Sequence, residues 1–259
     1  MKYFDRAGHW DDAADRYERT AHPYTARYVD AALASVPLTH ASRVLDIAAG
    51  TGALAFAAAA SGAQVLATDF SPAMVARIEA RAVPNVEARV MDGQALDLPE
   101  ASYDAVFSFF GVFMFPDWRK GLAEMARVAC PGGHGVVAVW QDRGAGSFML
   151  LGQLIRKLFP ERDLVPMPEA MTILGEVEGL AAELVRAGFQ EPTIEHVTRD
   201  FELELAALDD PDALFGPSPD WKTLATPQKA VIIAELGRMA GDMARLPIPS
   251  TALVAVARR

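Results

Sequence analysis

Gly50 and Gly52 follow directly on the apolar run Val44-Leu45-Asp46-Ile47, and Ala53-Leu54-Ala55 opens an alanine-rich stretch behind them. Glycines at that spacing let backbone N–H groups approach a ligand closely, and a helix that follows them turns its positive N-terminal end to the same point. Asp69 closes a second apolar run, Val65-Leu66-Ala67-Thr68, where an acidic side chain can take both hydroxyls of a ribose. The chemistry these residues predict is retention of a nucleotide-like cofactor. Nicotinamide enzymes and S-adenosylmethionine (SAM) enzymes both use this layout, so the turn and the acid do not choose between them.

Other residues narrow the reaction. Near the end of the fourth strand the chain offers Ser108-Phe109-Phe110-Gly111-Val112-Phe113-Met114-Phe115, an aromatic surface suited to an apolar acceptor, with no cluster of carboxylates or amides to chelate a divalent ion. No metal site is predicted; His9, Asp11 and Asp12 read as a solvated, acidic helix start. Cys130 is the only cysteine, which excludes an internal disulfide, a zinc cluster and iron–sulfur radical chemistry. No Tyr-x-x-x-Lys pair is present to relay a proton in a nicotinamide reaction. General-base candidates are His9, His22 and Tyr24, all in the N-terminal segment, with His22 and Tyr24 preferred.

These residues need a frame that holds strand ends side by side. From residue 43 onward, strand and helix patterns alternate as a parallel sheet with helical crossovers requires. Strands are predicted near 43–48, 64–69, 86–91, 103–109 and 134–141, with later ones near 191–200 and 251–257. Ser71-Pro72 predicts a capped helix start, a second helix is expected from Asp117 to Val128, and Pro131-Gly132-Gly133 is expected to stop it and turn the chain. A third helix is expected near 176–187, ended by Gly188. Trp10, Ala14, Tyr17 and Ala21 share helical spacing ahead of the first strand. Two segments interrupt the alternation, at 143–175 and 206–247; Phe148, Leu151, Ile155, Phe159, Trp221 and the 239–243 region are expected to line a substrate cover there.

Bulk properties agree with a small-molecule enzyme. At 259 residues, 51% of them hydrophobic, the chain can bury a substantial core as one decorated domain. A formal net charge of -10 argues against a nucleic-acid or anionic-membrane partner. Neither a signal core nor a run long enough to span a bilayer is visible, so a cytoplasmic protein is expected. A homodimer is one state open to it.

Four pieces in order carry a family resemblance: Val44-Leu45-Asp46-Ile47-Ala48-Ala49-Gly50-Thr51-Gly52, Ala67-Thr68-Asp69-Phe70-Ser71-Pro72-Ala73-Met74, Met91-Asp92-Gly93-Gln94-Ala95-Leu96, and Ala126-Arg127-Val128-Ala129-Cys130-Pro131-Gly132-Gly133. Together the set resembles class I SAM-dependent methyltransferases, in the branch similar to ubiquinone/menaquinone-biosynthesis enzymes. Ala48 stands where that turn often has a glycine. The resemblance implies an α/β, Rossmann-like fold: a mostly parallel seven-stranded sheet with helices on both faces and an antiparallel last strand. It divides the single domain into an N-terminal helical lid (1–40), a cofactor-binding core (41–142) and the two inserted segments.

The resemblance also implies roles for individual residues. Gly50, Gly52 and Ala48 would line the amino-acid end of SAM, with Asp46 ordering the loop or holding the ammonium through water. Asp69 would bind the ribose; Phe70 and Met74 would flank the adenine; Asp92, Gly93 and Gln94 would meet its amino group. Ser108 and Phe109 would stand beside the methyl group, and Tyr17 on the lid would touch the cofactor carboxylate. Methyl transfer to a small apolar or aromatic acceptor is implied, at carbon or oxygen, without a metal. A SAM-fold protein that senses a ligand or catalyses another rearrangement is the alternative, and a nicotinamide oxidoreductase a more distant one.

Overall fold

The computed structural model describes residues 7–141, 146–216 and 218–259. The side chains of His9 and Phe148, together with residues 142–145, lie outside the described residues. The chain starts with α1 (Ala7–Thr25), a 3-10 turn, and α2 (Val29–Ala34). Apolar runs bounded by turn residues then become β1 (Arg43–Ile47), β2 (Gln64–Asp69) and β4 (Tyr103–Phe109), while β3 (Val86–Val90) alternates Val86, Ala88 and Val90 with Glu87 and Arg89. Between them stand α3 (Ala53–Ala59) and α4 (Pro72–Ala80), and α5 (Trp118–Val128) follows β4. Ser71 caps α4, its hydroxyl accepting the Met74 N–H at 3.2 Å with Pro72 in the first turn, while Asp117 caps α5 through the Lys120 N–H.

The strands form one sheet in the order β3-β2-β1-β4, continued by β5 (Ala129–Trp140), β7 (Arg245–Arg258) and β6 (Gln190–Glu204). The first five are parallel, with Asp46 beside Ala67 on one side and Phe107 on the other. At one end of the β5/β7 pair Gly132 donates to the Arg259 carbonyl and Arg259 donates to that of Gly133, and Gln141 donates to Thr251 at the other, so β7 runs antiparallel to β5. Thr193 contacts Val256 and Thr198 contacts Thr251, so β6 is antiparallel to β7 as well.

The strand boundaries differ from expectation at three places. β5 begins at Ala129 and runs through Pro131-Gly132-Gly133, because the end of β7 supplies partners there: Gly132 donates to the Arg259 carbonyl and Arg259 donates back to Gly133. The displaced register between Tyr103 and Ala105 absorbs the proline and glycines. β7 begins six residues before the expected 251, at Arg245, despite Pro247 and Pro249. Both prolines stand on the exposed side of an alternation whose buried members are Leu246, Ile248 and Ser250. β6 extends to Glu204 because Phe201-Glu202-Leu203-Glu204 continues its alternation.

The chain divides into two compact units. The first comprises Met1–Val139, Ala170–Val197 and Ala252–Arg259. It holds the sheet's parallel part, α7 (Glu169–Leu174) from its second residue, and α8 (Val177–Ala187), with Gly188 closing α8 in the left-handed conformation. The second unit comprises Trp140–Glu169 and Thr198–Thr251. It contains α6 (Gly146–Leu158), α9 (Pro211–Phe215), α10 (Pro219–Lys222) and α11 (Thr226–Ala240), around a core of its own. Leu151, Ile155 and Trp221, expected to line a cover, are fully enclosed in that core with Phe215, Ile232 and Leu236. Phe159 packs against it. Met239 and Met243 are exposed.

Candidate active site

The turn after β1 has three left-handed residues in five: Ala48 (φ 58°), Gly50 (φ 55°) and Gly52 (φ 89°). Glycine adopts this region freely, whereas for Ala48 it is a cost that surrounding contacts must hold in place. Those contacts come from several directions. Ala49 donates to the Thr68 carbonyl at 3.0 Å, Gly52 donates to Ala49, and Gly50 donates to an Asp69 carboxylate oxygen at 2.9 Å. The other Asp69 oxygen accepts the Ser71 N–H at 3.0 Å. One carboxylate therefore ties together the loops that follow β1 and β2. The Phe70 N–H also favours the charged carboxylate, and with three backbone donors on four acceptor positions Asp69 keeps room for a hydroxyl donor.

Burial pushes the Asp69 carboxyl up to about 6, against the backbone N–H groups of Ser71 and Gly50 that favour its charged form. Asp46 is enclosed below the turn, and neither of its oxygens has a full hydrogen-bond partner. Burial raises it to about 8, the nearby charge of Asp69 adds to the rise, and the Ala55 N–H opposes it. Two buried carboxylates with spare acceptor capacity beside a turn of left-handed backbone suit a ligand rich in donors and carrying positive charge.

Helix α1 lies on both loops. Its Asp11 carboxylate accepts the Ser71 hydroxyl at 2.5 Å and the Ala73 N–H at 3.1 Å, at the start of α4. Asp11 was expected in a solvated helix start; a charged acceptor at the positive end of α4 is the physical reason it docks instead. One and two turns on, Asp15 pairs with Arg77, and Glu18 pairs with Arg77 and with Arg81 at 3.0 Å. The Tyr17 ring stands over Gly50, where an added Cβ would meet its Cε1 at 3.1 Å and its hydroxyl at 3.2 Å. Burial raises the Tyr17 phenol to about 12, and the Asp69 charge adds to the rise. Near the helix end, His22 Nδ1 is 2.6 Å from the hydroxyl of Thr51, which lies fully buried between the two glycines.

The remaining predicted residues occupy neighbouring strand ends. Met91 donates to the Asp69 carbonyl at 2.9 Å, which sets the Asp92 loop beside Asp69. The exposed Asp92 carboxylate accepts the Gln94 N–H and side-chain amide, and Gln94 in turn accepts the Asp117 N–H at 2.7 Å. Gly93 is buried beside Ile47 and Phe115. Phe70 is partly exposed, whereas Met74 lies in the core and presents no open surface. At the end of β4 the Ser108 hydroxyl is buried without a partner and Phe109 is largely enclosed. Phe110 follows in the left-handed region (φ 60°), donating its N–H to the Ala138 carbonyl. Its ring meets those of Phe109 and Tyr28 edge-on, and the Tyr28 hydroxyl is 3.1 Å from that of Tyr24. The β1 and β4 loops approach so closely that a Cβ on Gly111 would come within 2.6 Å of the Ala48 Cβ.

Comparison with known proteins decides between the cofactor classes. Residues 44–133 match the methyltransferase domain family. A demethylmenaquinone methyltransferase of Corynebacterium efficiens is 34% identical over 73% of this chain and 86% of its own length. One from Thermus thermophilus is 36% identical over 63% of this chain and 79% of its own. The chain belongs to the class I SAM-dependent methyltransferases. Its fold is also that of the YcgJ protein of Bacillus subtilis, with a TM-score of 0.58 at 17% identity over 90% of this chain and 98% of that one.

In this methyltransferase the site fits SAM, whose ammonium could meet the unpartnered Asp46 oxygens and whose ribose hydroxyls could use the acceptor capacity that Asp69 retains. Asp69 could take the ribose, the turn at 48–52 the amino-acid portion, and Phe70 with the Asp92 loop the adenine. Among the described residues no group of three or more histidine, cysteine or carboxylate side chains is placed to hold a metal. Sequence reasoning missed the contacts of Thr51 and Asp11, and the link from Phe110 to Tyr28. The stripe Asp11, Asp15, Glu18 against Arg77 and Arg81 was a readable signal for the docking of α1, since both sets repeat at helical spacing. Nothing in the sequence marked the left-handed backbone of Phe110.

Proposed function

We propose that this methyltransferase binds SAM in the turn at 48–52 and transfers its methyl group to the ring carbon or hydroxyl of a small aromatic, quinol-like acceptor. The observation that carries the cofactor site is the Asp69 carboxylate, which joins the two loops and retains acceptor capacity beside an unpartnered Asp46. The acceptor class is supported by relatives named for demethylmenaquinone, and by the buried rings Phe109, Phe110 and Tyr28, which run from β4 to the half-buried Tyr24. A net charge of -10 speaks for a small-molecule rather than a nucleic-acid partner, and no described helix is long and apolar enough to cross a membrane.

Bound SAM supplies a sulfonium methyl. The methyl carbon bonds to the acceptor as its bond to sulfur breaks, the electron pair stays on sulfur, and the acceptor gives up one proton. Alignment and exclusion of water provide most of the rate for such an in-line displacement. The buried turn, the Tyr17 wall and the aromatic row serve both needs. Tyr24 is the candidate for handling the released proton, because its hydroxyl continues the aromatic row through Tyr28. His22 has one ring nitrogen committed to Thr51.

The test is a methyl-transfer assay with SAM against matched quinols, phenols and non-aromatic acceptors, read by mass spectrometry. Acceptor-dependent formation of S-adenosylhomocysteine, with one added CH2 on the aromatic ring or its oxygen, is expected. Preference for non-aromatic acceptors would overturn the acceptor class. In the same assay Tyr24→Phe should lower kcat by tenfold or more, on the order of one general-base contribution, with the KM for SAM nearly unchanged. An unchanged kcat would remove Tyr24 from the proton path.

A further inference from the structure

The turn at 48–52 is held from outside as well as from within. Ala48, Gly50 and Gly52 place left-handed backbone on either side of Thr51, and such a conformation persists only where its surroundings over-determine it. The backbone ties from Ala49, Gly50 and Gly52 all come from β2 or from the turn itself. None of them reaches the Thr51 side chain. Its hydroxyl is fully buried and meets His22 Nδ1 at 2.6 Å, a short contact from an element 29 residues earlier in the chain.

We infer that His22 is a positioning residue for the cofactor turn, acting through the Thr51 hydroxyl rather than as the base that accepts the acceptor's proton. This rests on the proposed SAM site. His22 stands on the last turn of α1, at the far end from Asp11, whose carboxylate holds the loop after β2. The two contacts bracket Tyr17 over Gly50, so one helix sets both loops of the site from its two ends. The groups around the ring are Glu18 on the same helix, Arg81 at the C-cap of α4 and Thr51 on the turn. Burial and the Arg81 charge favour the neutral ring, with Glu18 opposing them. Neutral imidazole carries one N–H donor and one acceptor nitrogen, so it can pair with the hydroxyl in either sense.

An asparagine can place an amide group near the position of Nδ1, but it cannot act as a base at neutral pH. That separates positioning from proton transfer. Binding of S-adenosylhomocysteine by calorimetry and turnover with SAM should be measured for the parent, His22→Ala, His22→Asn, Thr51→Val and the double variant His22→Ala/Thr51→Val. His22→Ala and Thr51→Val should each weaken cofactor binding roughly tenfold, the scale of one buried hydrogen bond left unmade. The double variant should be no worse than either single one, because both remove the same contact. His22→Asn should recover affinity to within about threefold and keep most of kcat.

Loss of turnover in His22→Asn with cofactor affinity retained would overturn the inference in favour of a base. Additive losses in the double variant, or parent-like affinity in His22→Ala, would overturn it too. If the folded parent itself binds no S-adenosylhomocysteine, the proposed cofactor site fails and this inference falls with it.

Discussion

Asp46 is the residue whose environment departs furthest from what its type prefers. Both oxygens are buried without full partners, and its carboxyl is pushed up to about 8, so the ligand-free folded protein holds a proton there at neutrality. The unfolded chain, with the ordinary carboxyl near 4, does not. Between about 4 and 8 the folded state therefore binds more protons, and this site's contribution to stability falls as pH rises through that window and levels off above it. Asp69, raised to about 6, adds the same sign over a narrower range. Asp46→Asn removes the titration while keeping the shape. Its melting temperature should gain on the parent by roughly 5–10 °C between pH 5 and pH 8, and parallel profiles would contradict the account. The identities of Gly50, Gly52 and Asp69 were legible because turn, strand and helix signals coincide around them. Thr51 was not, since the partner that gives its hydroxyl a purpose comes from a helix distant in sequence.

Among the elements, α1 depends on one patch of paired charges. Arg77 joins Asp15 and Glu18, and Arg81 reaches Glu18, on partly exposed surface where salt screens each pair and a single one contributes little. A network that includes the Asp11 contacts holds more than its separate pairs. Arg77→Ala should lower hydrogen-exchange protection in residues 7–25 by roughly threefold or more while leaving β1, β2 and β4 unchanged, and added salt should narrow the difference. Equal protection in parent and variant would show that Tyr17 and His22 hold the helix alone. The strands β1 to β4 could be read from the chain to within a residue, because β1, β2 and β4 are short apolar runs and β3 a short alternating one, each between turn signals. The starts of β5 and β7 could not. Proline and glycine at 131–133 and proline at 247 and 249 argue locally against strand; pairing with the end of β7 overrides the first set, and the second stands where β7 starts beside the end of β6.

At the scale of the whole molecule, the second unit has its own core, so its stability is separable from that of the sheet's parallel part. Trp221 is almost fully enclosed, lies tilted against Phe215 with ring centres 5.0 Å apart and donates from its indole to Asp212 at 2.6 Å. Trp221→Ala should cost about 3–5 kcal/mol, seen as lost exchange protection across α6, α9 and α11 with β1 to β4 still protected. Simultaneous loss in both units would contradict that separation. The apolar stripe of α6 was visible in the sequence as helical spacing, but spacing alone does not distinguish a helix that faces a ligand from one that faces Trp221. The central claim remains that the 48–52 turn and Asp69 hold SAM. It is tested most directly by calorimetric titration of the protein with S-adenosylhomocysteine, beside an Asp69→Ala variant verified to be folded and an NADH control. Binding on the order of micromolar, weakened tenfold or more in the variant and absent for NADH, is the predicted result. Equal S-adenosylhomocysteine affinity in the two proteins, or binding of NADH in its place, would contradict it.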